Sequence, residues 1–210
     1  MDLAPVVDVN TNPRNRVIGD RSYGTTPDDV SAMGAAFITA IQREGVAACA
    51  KHWPGHGDTV EDSHEELPTL KHDMERLRSV EMRPFEAAIA ADVASVLVAH
   101  LLVPAMEVVA KEKKKEEKEE AVEEEEEEVV PASCSRAVVG YLRRELGYDG
   151  LVMTDDMEMG ALKAYGAGRA AVRGCEAGVD VFLMCHTREL QTEIVDALAG
   201  AMTRLSLIHI

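Results

Sequence analysis

Five short, almost uninterrupted apolar runs are spread along the chain, and each closes on a polar or charged residue. They are residues 3–9 with Asp8 near the end, 46–51 leading into His52, 95–99 ending at His100, 151–154 ending at Asp155-Asp156, and 179–185 ending at His186. A strand with one wet face alternates apolar and polar residues, whereas continuous apolar runs mark strands covered on both faces. Segments of helical spacing separate them. Over residues 28–44, Asp28 and Asp29 open a helix, Val30, Met33, Phe37 and Ile41 share its apolar face, and Gly45 ends it. Pro84 opens a helix to about residue 91, with Phe85 and Ile89 four apart. Ser135 caps a helix bearing Val138, Leu142 and Leu146 and stopped by Gly147. Further helices are expected near 168–177 and over 188–202. Strands alternating with helices specify an α/β fold around a parallel sheet. Such sheets place their sites at the C-terminal strand ends, where these polar residues recur.

The densest collection of chemistry follows the second run: Lys51-His52-Trp53-Pro54-Gly55-His56-Gly57-Asp58, then Asp62-Ser63-His64 and Leu67-Pro68. Pro54, Gly55 and Gly57 deny this stretch a regular helix, so its polar groups sit on a shaped loop leaving a buried strand. Asp62 and His64 are two apart and project the same way from extended backbone. His52, His56, Asp58, Asp62 and His64 could be read as metal ligands. The i,i+4 spacing of His52 and His56 suits a zinc helix, however, and the loop is not helical, so this reading ranks below a catalytic one. His56 between glycines reads as a loop-shaping hydrogen-bonder, Asp58 as structural, and Asp8 as an orienting group. His100 divides evenly between site and core; His72 and His209 read as surface residues.

These blocks resemble the signature of family 3 glycoside hydrolases of the β-N-acetylglucosaminidase type, with Trp53 where the family usually has Phe. Three further stretches resemble the same family in order: Leu3–Val9, Ile18–Gly24 and Val152–Met157. The resemblance covers about residues 3–104 and 131–190. It implies a (β/α)8 TIM barrel that removes terminal β-linked N-acetylglucosamine with retention through a covalent glycosyl-enzyme. It also implies Asp155 as nucleophile, His64 as general acid/base held by Asp62, and Arg21, Lys51 and His52 as binders of sugar hydroxyls. No cofactor and no metal are implied, and the partner is a β-N-acetylglucosaminide, with peptidoglycan turnover as the usual setting. A phosphorylase using the same residues is the alternative, because a histidine acid/base repels an incoming phosphate less than a carboxylate would. Against the family pattern the chain lacks about the first two strands and the last, so the expectation is an incomplete barrel over residues 1–204, weakly active or inactive alone.

Composition excludes other classes. The 210 residues are 46% hydrophobic but only 4% aromatic, against a module of stacked rings. Of the formal net charge of −16, −7 lies in residues 107–128, which hold twelve glutamates and five lysines. The acidic balance argues against nucleic acid and anionic membranes. No run approaches the ~20 apolar residues of a membrane span, and no signal peptide opens the sequence, which points to the cytoplasm. Residues 107–130 read as a charged insertion, disordered or helical, without chemistry; 205–210 read as a tail of doubtful origin. Cys49, Cys134, Cys175 and Cys185 are widely spaced and read as free thiols, with Cys49 and Cys185 placed in buried strands.

Overall fold

The computed structural model describes residues 1–60, 63, 66–117 and 130–203. Its centre is a parallel sheet of β1 (Cys49–Trp53), β2 (Ser95–Val98), β3 (Leu151–Asp156) and β4 (Val181–Leu183), paired in sequence order. Helix α1 (Pro27–Arg43) precedes β1. Between β1 and β2 lie α2 (Met74–Arg76), a π-helical turn (Leu77–Glu81) and α3 (Arg83–Ala90). Helices α4 (Pro104–Glu117) and α5 (Arg136–Gly140), the latter continued by a second π-helical turn (Tyr141–Glu145), connect β2 to β3. Helices α6 (Gly160–Lys163) and α7 (Ala167–Ala177) connect β3 to β4, and α8 (Arg188–Thr203) follows. Sequential parallel strands with helical crossovers build one arc of a (β/α) barrel. The part of the charged insertion within α4 is helical; residues 118–129 and the tail 205–210 lie outside the described residues.

Several expectations needed correction. The run at residues 3–9 is not a strand: it forms one parallel bridge, Val6 to Lys51. It still lies along β1, with Cys49 N–H donating to Ala4 O and Val7 N–H to Lys51 O, both at 2.8 Å. Pro5 has no N–H to extend the ladder, so the described strands number four rather than five. β1 starts and ends later than residues 46–51. Val46 is exposed beside the end of α1, and the strand runs on through His52 and Trp53. Burial explains the extension. The Trp53 ring is wholly buried, edge-on to Phe85 at 5.2 Å, and its indole N–H donates to Val138 O at 3.1 Å. The buried face of α1 is Val30, Gly34 and Ile38, while Met33 is 53% exposed. A Cβ on Gly34 would meet Val7 Cγ1 at 2.8 Å, so this glycine lets α1 close onto the N-terminal segment.

The helix signals fared better. Thr26 caps α1 by accepting from Asp29 N–H, and Ser135 caps α5 by accepting from the N–H groups of Ala137 and Val138. Alternation along β2 divides the core. Val96 and Val98 join Trp53, Phe85, Leu142 and Val152 under the helices. Leu97 points the other way, packing with Cys49 and Met153. No described helix is long and apolar enough to cross a membrane.

Candidate active site

The sheet carries its polar groups at the C-terminal ends of the strands. Asp8, just past the bridge to β1, is fully buried. Its carboxylate accepts His52 Nδ1 at 2.7 Å, His52 N–H at 3.2 Å and His56 N–H at 2.6 Å. Burial alone would raise its pKa, but His52 and His56 outweigh that and hold it below the ordinary 3.8. An ionised carboxylate only accepts, so Nδ1 of His52 carries the hydrogen and Nε2 is the acceptor of the neutral ring. His52 owes its aim to a bulge: Lys51 pairs with Leu97 and Trp53 with Val98, leaving His52 as the extra residue.

The next loop is closed by His56. Its Nδ1 lies 2.7 Å from Thr59 Oγ1 and its Nε2 2.9 Å from Ser63 Oγ, while Asn15 Nδ2 donates to its carbonyl at 2.6 Å. Burial pushes His56 below the usual histidine value. Gly57 has Val9 O 1.9 Å from where a Cβ would sit, and Gly55, at φ +128°, packs on buried Glu81 in the same way. Two glycines therefore let the loop lie directly on its neighbours. Ser63, held by His56, also accepts from Ala161 N–H at 3.2 Å, which ties the loop to the segment after β3. Asp62 and His64, on either side of Ser63, lie outside the described residues.

At the end of β3, two neighbouring aspartates part company. Asp155 turns inward. Burial would raise its pKa, yet the neighbouring His52, His100 and Lys51, with a hydrogen bond from Asp156 N–H to Asp155 Oδ1 at 2.9 Å, hold it below the ordinary 3.8. Asp156 turns toward β4, with Oδ2 4.0 Å from His186 Nδ1. His100 is wholly buried between Ser133 Oγ (2.8 Å from Nδ1) and Asp156 O (3.2 Å from Nε2). A carbonyl only accepts, so Nε2 carries the hydrogen, and burial keeps the ring's pKa low. His100 is thus both a satisfied core residue and a neighbour of Asp155.

Lys51, His52 and Asp155 are therefore brought together. Arg21 is exposed, and its guanidinium donates to Val17 O at 2.6 and 3.2 Å, within its own loop. That loop is anchored near the site: Ser22 Oγ lies 2.7 Å from Asp8 O. Two assignments change, His72 from the surface and Cys185 from a buried strand. His72 is half-buried, paired with Asp58 at 2.5 Å, and Cys185 is exposed beyond the end of β4. His209 lies outside the described residues. The pairing of Asp8 with His52 and the grip of His56 on Ser63 were not foreseen. The only hint of the first was an acid at a strand end. A hydroxyl inside an Asp-Ser-His triplet was the only hint of the second.

The arrangement is a fixed, ionised carboxylate beside imidazole and ammonium donors at the open edge of a sheet. It can hold a polar ligand and present one carboxylate to it as nucleophile. Known proteins resemble this chain along nearly its whole length. Residues 1–208 match the model of the glycosyl hydrolase family 3 N-terminal domain. A β-hexosaminidase of Stenotrophomonas maltophilia is 35% identical over 202 residues, covering 95% of this chain and 53% of that protein. The β-hexosaminidase A of Pseudoalteromonas piscicida is 35% identical over 187 residues, covering 88% of this chain and 30% of its own length. Among solved structures, a family 3 β-N-acetylglucosaminidase from Paenibacillus sp. str. FPU-7 superposes with a TM-score of 0.83 at 46% identity, covering 95% of this chain and 35% of that one. This chain thus spans about half or less of the length of these relatives.

Proposed function

We propose that this chain, which belongs to glycosyl hydrolase family 3, contributes the catalytic groups of an enzyme that hydrolyses terminal β-linked N-acetylglucosamine with retention of configuration. The carrying observation is Asp155, an acid at a strand end that burial should neutralise but that His52, His100 and Lys51 keep ionised. A retaining glycosidase needs such a group: a carboxylate fixed at attack distance from the anomeric carbon, roughly 5 Å from the proton donor. Asp155 Oδ attacks the anomeric carbon, the glycosidic bond breaks, and the leaving oxygen takes a proton from His64. Water then attacks the glycosyl-Asp155 ester, with His64 as base, and releases the sugar with its configuration retained. Asp62 orients the imidazole and balances its positive form. Lys51, the Nε2 of His52, and Arg21 bind sugar hydroxyls; Asp8 holds His52 in the tautomer that leaves Nε2 open.

The test is mass spectrometry of the chain after exposure to a slowly hydrolysed fluorinated N-acetylglucosaminyl fluoride. One sugar mass added to the peptide containing Asp155, and absent from Asp155→Asn, supports the reading. Labelling at another carboxylate, or turnover of an aryl β-N-acetylglucosaminide that survives Asp155→Asn, overturns it. Assays with and without phosphate distinguish hydrolysis from phosphorolysis by whether sugar or sugar 1-phosphate accumulates.

A further inference from the structure

At the outer edge of the sheet, on the far side of Asp155, three side chains of different donor chemistry converge. The Asp156 carboxylate, the Cys185 thiol and the His186 imidazole each place a ligand atom within 4.8 Å of the other two. Asp156 comes from the end of β3, and Cys185 and His186 from the segment just past β4. None of the three is among the residues assigned above to sugar chemistry.

The spacing is close to that of a coordination shell. Tetrahedral bonds of about 2.0–2.3 Å put ligand atoms roughly 3.3–3.8 Å apart. Asp156 Oδ2 and His186 Nδ1 are already 4.0 Å apart. The remaining closure falls on the side chains of Cys185 and His186, both exposed. Their backbone needs no ordering. The carboxylate of Glu158 accepts the consecutive N–H groups of Cys185 (3.1 Å), His186 (2.6 Å) and Thr187 (2.7 Å), fixing the ligand-bearing segment against the turn after β3. Thiolate, imidazole and carboxylate together select a borderline-soft ion; magnesium and calcium prefer all-oxygen shells.

The location gives such an ion a mechanical effect. β4 is three residues long, half-buried throughout, and its register with β3 slips between Met153 and Asp156. A ligand set drawn from both strand ends spans that weak seam.

We infer that Asp156, Cys185 and His186 form a site for a thiophilic divalent cation of the zinc class, bridging β3 and β4, with water as the fourth ligand. On binding, the thiol proton of Cys185 leaves to solvent. His186 exchanges its Nδ1 contact with Glu158 (3.1 Å) for the metal, and its ring proton moves to Nε2. Binding stabilises the folded chain in proportion to occupancy.

The experiment is a Co²⁺ titration of the full 210-residue chain without an affinity tag, in a non-thiol reductant, followed by displacement with Zn²⁺. The expected result is a thiolate-to-cobalt charge-transfer band in the near ultraviolet that saturates at one equivalent and is abolished by one equivalent of Zn²⁺. Cys185→Ser removes the band, Cys175→Ser leaves it, and Asp156→Asn weakens Co²⁺ at least about tenfold. Zn²⁺ raises the melting temperature of the native chain and of Asp155→Asn alike, but not of Cys185→Ser. No thiolate band with the native chain, or a band that persists in Cys185→Ser, overturns the site. All readouts are taken without substrate, so they stand apart from the glycosidase reading.

Discussion

The inner and outer edges of the same strand end use similar residues to opposite effect. Inside, Asp8 pairs with His52 and His56, His100 is held by Ser133 and the Asp156 carbonyl, Asp155 accepts from Asp156 N–H, and burial magnifies every charge among them. Outside, Asp156, Glu158, Cys185 and His186 make comparable contacts in reach of water, where each is worth less. What separates the two is the alternation of a β-strand, which sends adjacent aspartates to opposite sides. Chemical type does not assign a role here; the side of the sheet does.

Substitutions should expose that contrast, beginning with the greatest effect. Asp155→Asn is expected to lower glycoside turnover on the order of 10³-fold or more, measured with an aryl substrate, while leaving the urea midpoint nearly unchanged. Asp8→Ala should instead strike stability. It strands buried N–H groups and a buried imidazole, at about 3–5 kcal/mol in urea unfolding; a loss of activity without a loss of stability would contradict the network. Gly57→Ala drives a methyl into Val9 O and is expected to cost about 1–3 kcal/mol, read from the same unfolding curves.

The pH dependence sharpens the comparison further. His56 and His100 are held below the ordinary 6.5, and Asp8 and Asp155 below 3.8. Each folded value lies under its unfolded one, so the unfolded chain takes up protons first as pH falls. The urea midpoint should therefore level off just above pH 6.5, fall as the unfolded histidines charge on acidification, and fall again below 3.8. His56→Gln should flatten part of the upper fall, leaving the share that belongs to His100. On the outer edge, Glu158 is depressed to about 2 from 4.5, so its contribution is lost only between those values. The smallest effect belongs there: Glu158→Gln should leave turnover unchanged and speed hydrogen exchange at the amides of residues 185–187.

Much of the frame was legible in the sequence because it rests on local rules. Asp28 and Asp29 mark the first turn of α1 and Ser135 caps α5 for reasons contained within three residues, and β3 spans Leu151–Asp156 as its apolar run requires. The failures share one cause, which is dependence on a distant partner. Gly34 lies on the buried face of α1 because Val7 approaches it from another segment, and a pattern of large apolar residues selects Met33 instead. β1 runs through Trp53 because Phe85 and Val138 receive the ring. Asp8 could be suspected of orienting something, but its hold on His52, 44 residues away, belongs to the fold alone. Cys185 follows an apolar run that looks buried, yet β4 ends at Leu183 and leaves it in water.

Trp53 has a practical consequence. It is the chain's one tryptophan, and it follows Lys51 and His52 in the same strand with its ring sealed between Phe85 and Tyr141. Its fluorescence is thus a built-in optical reporter on the strand that carries Lys51 and His52. Emission should begin blue-shifted and move to the red when that strand leaves the core, without any dye or label. Each unfolding curve described above, followed at this indole, reads the loss of the site itself rather than an average over the molecule.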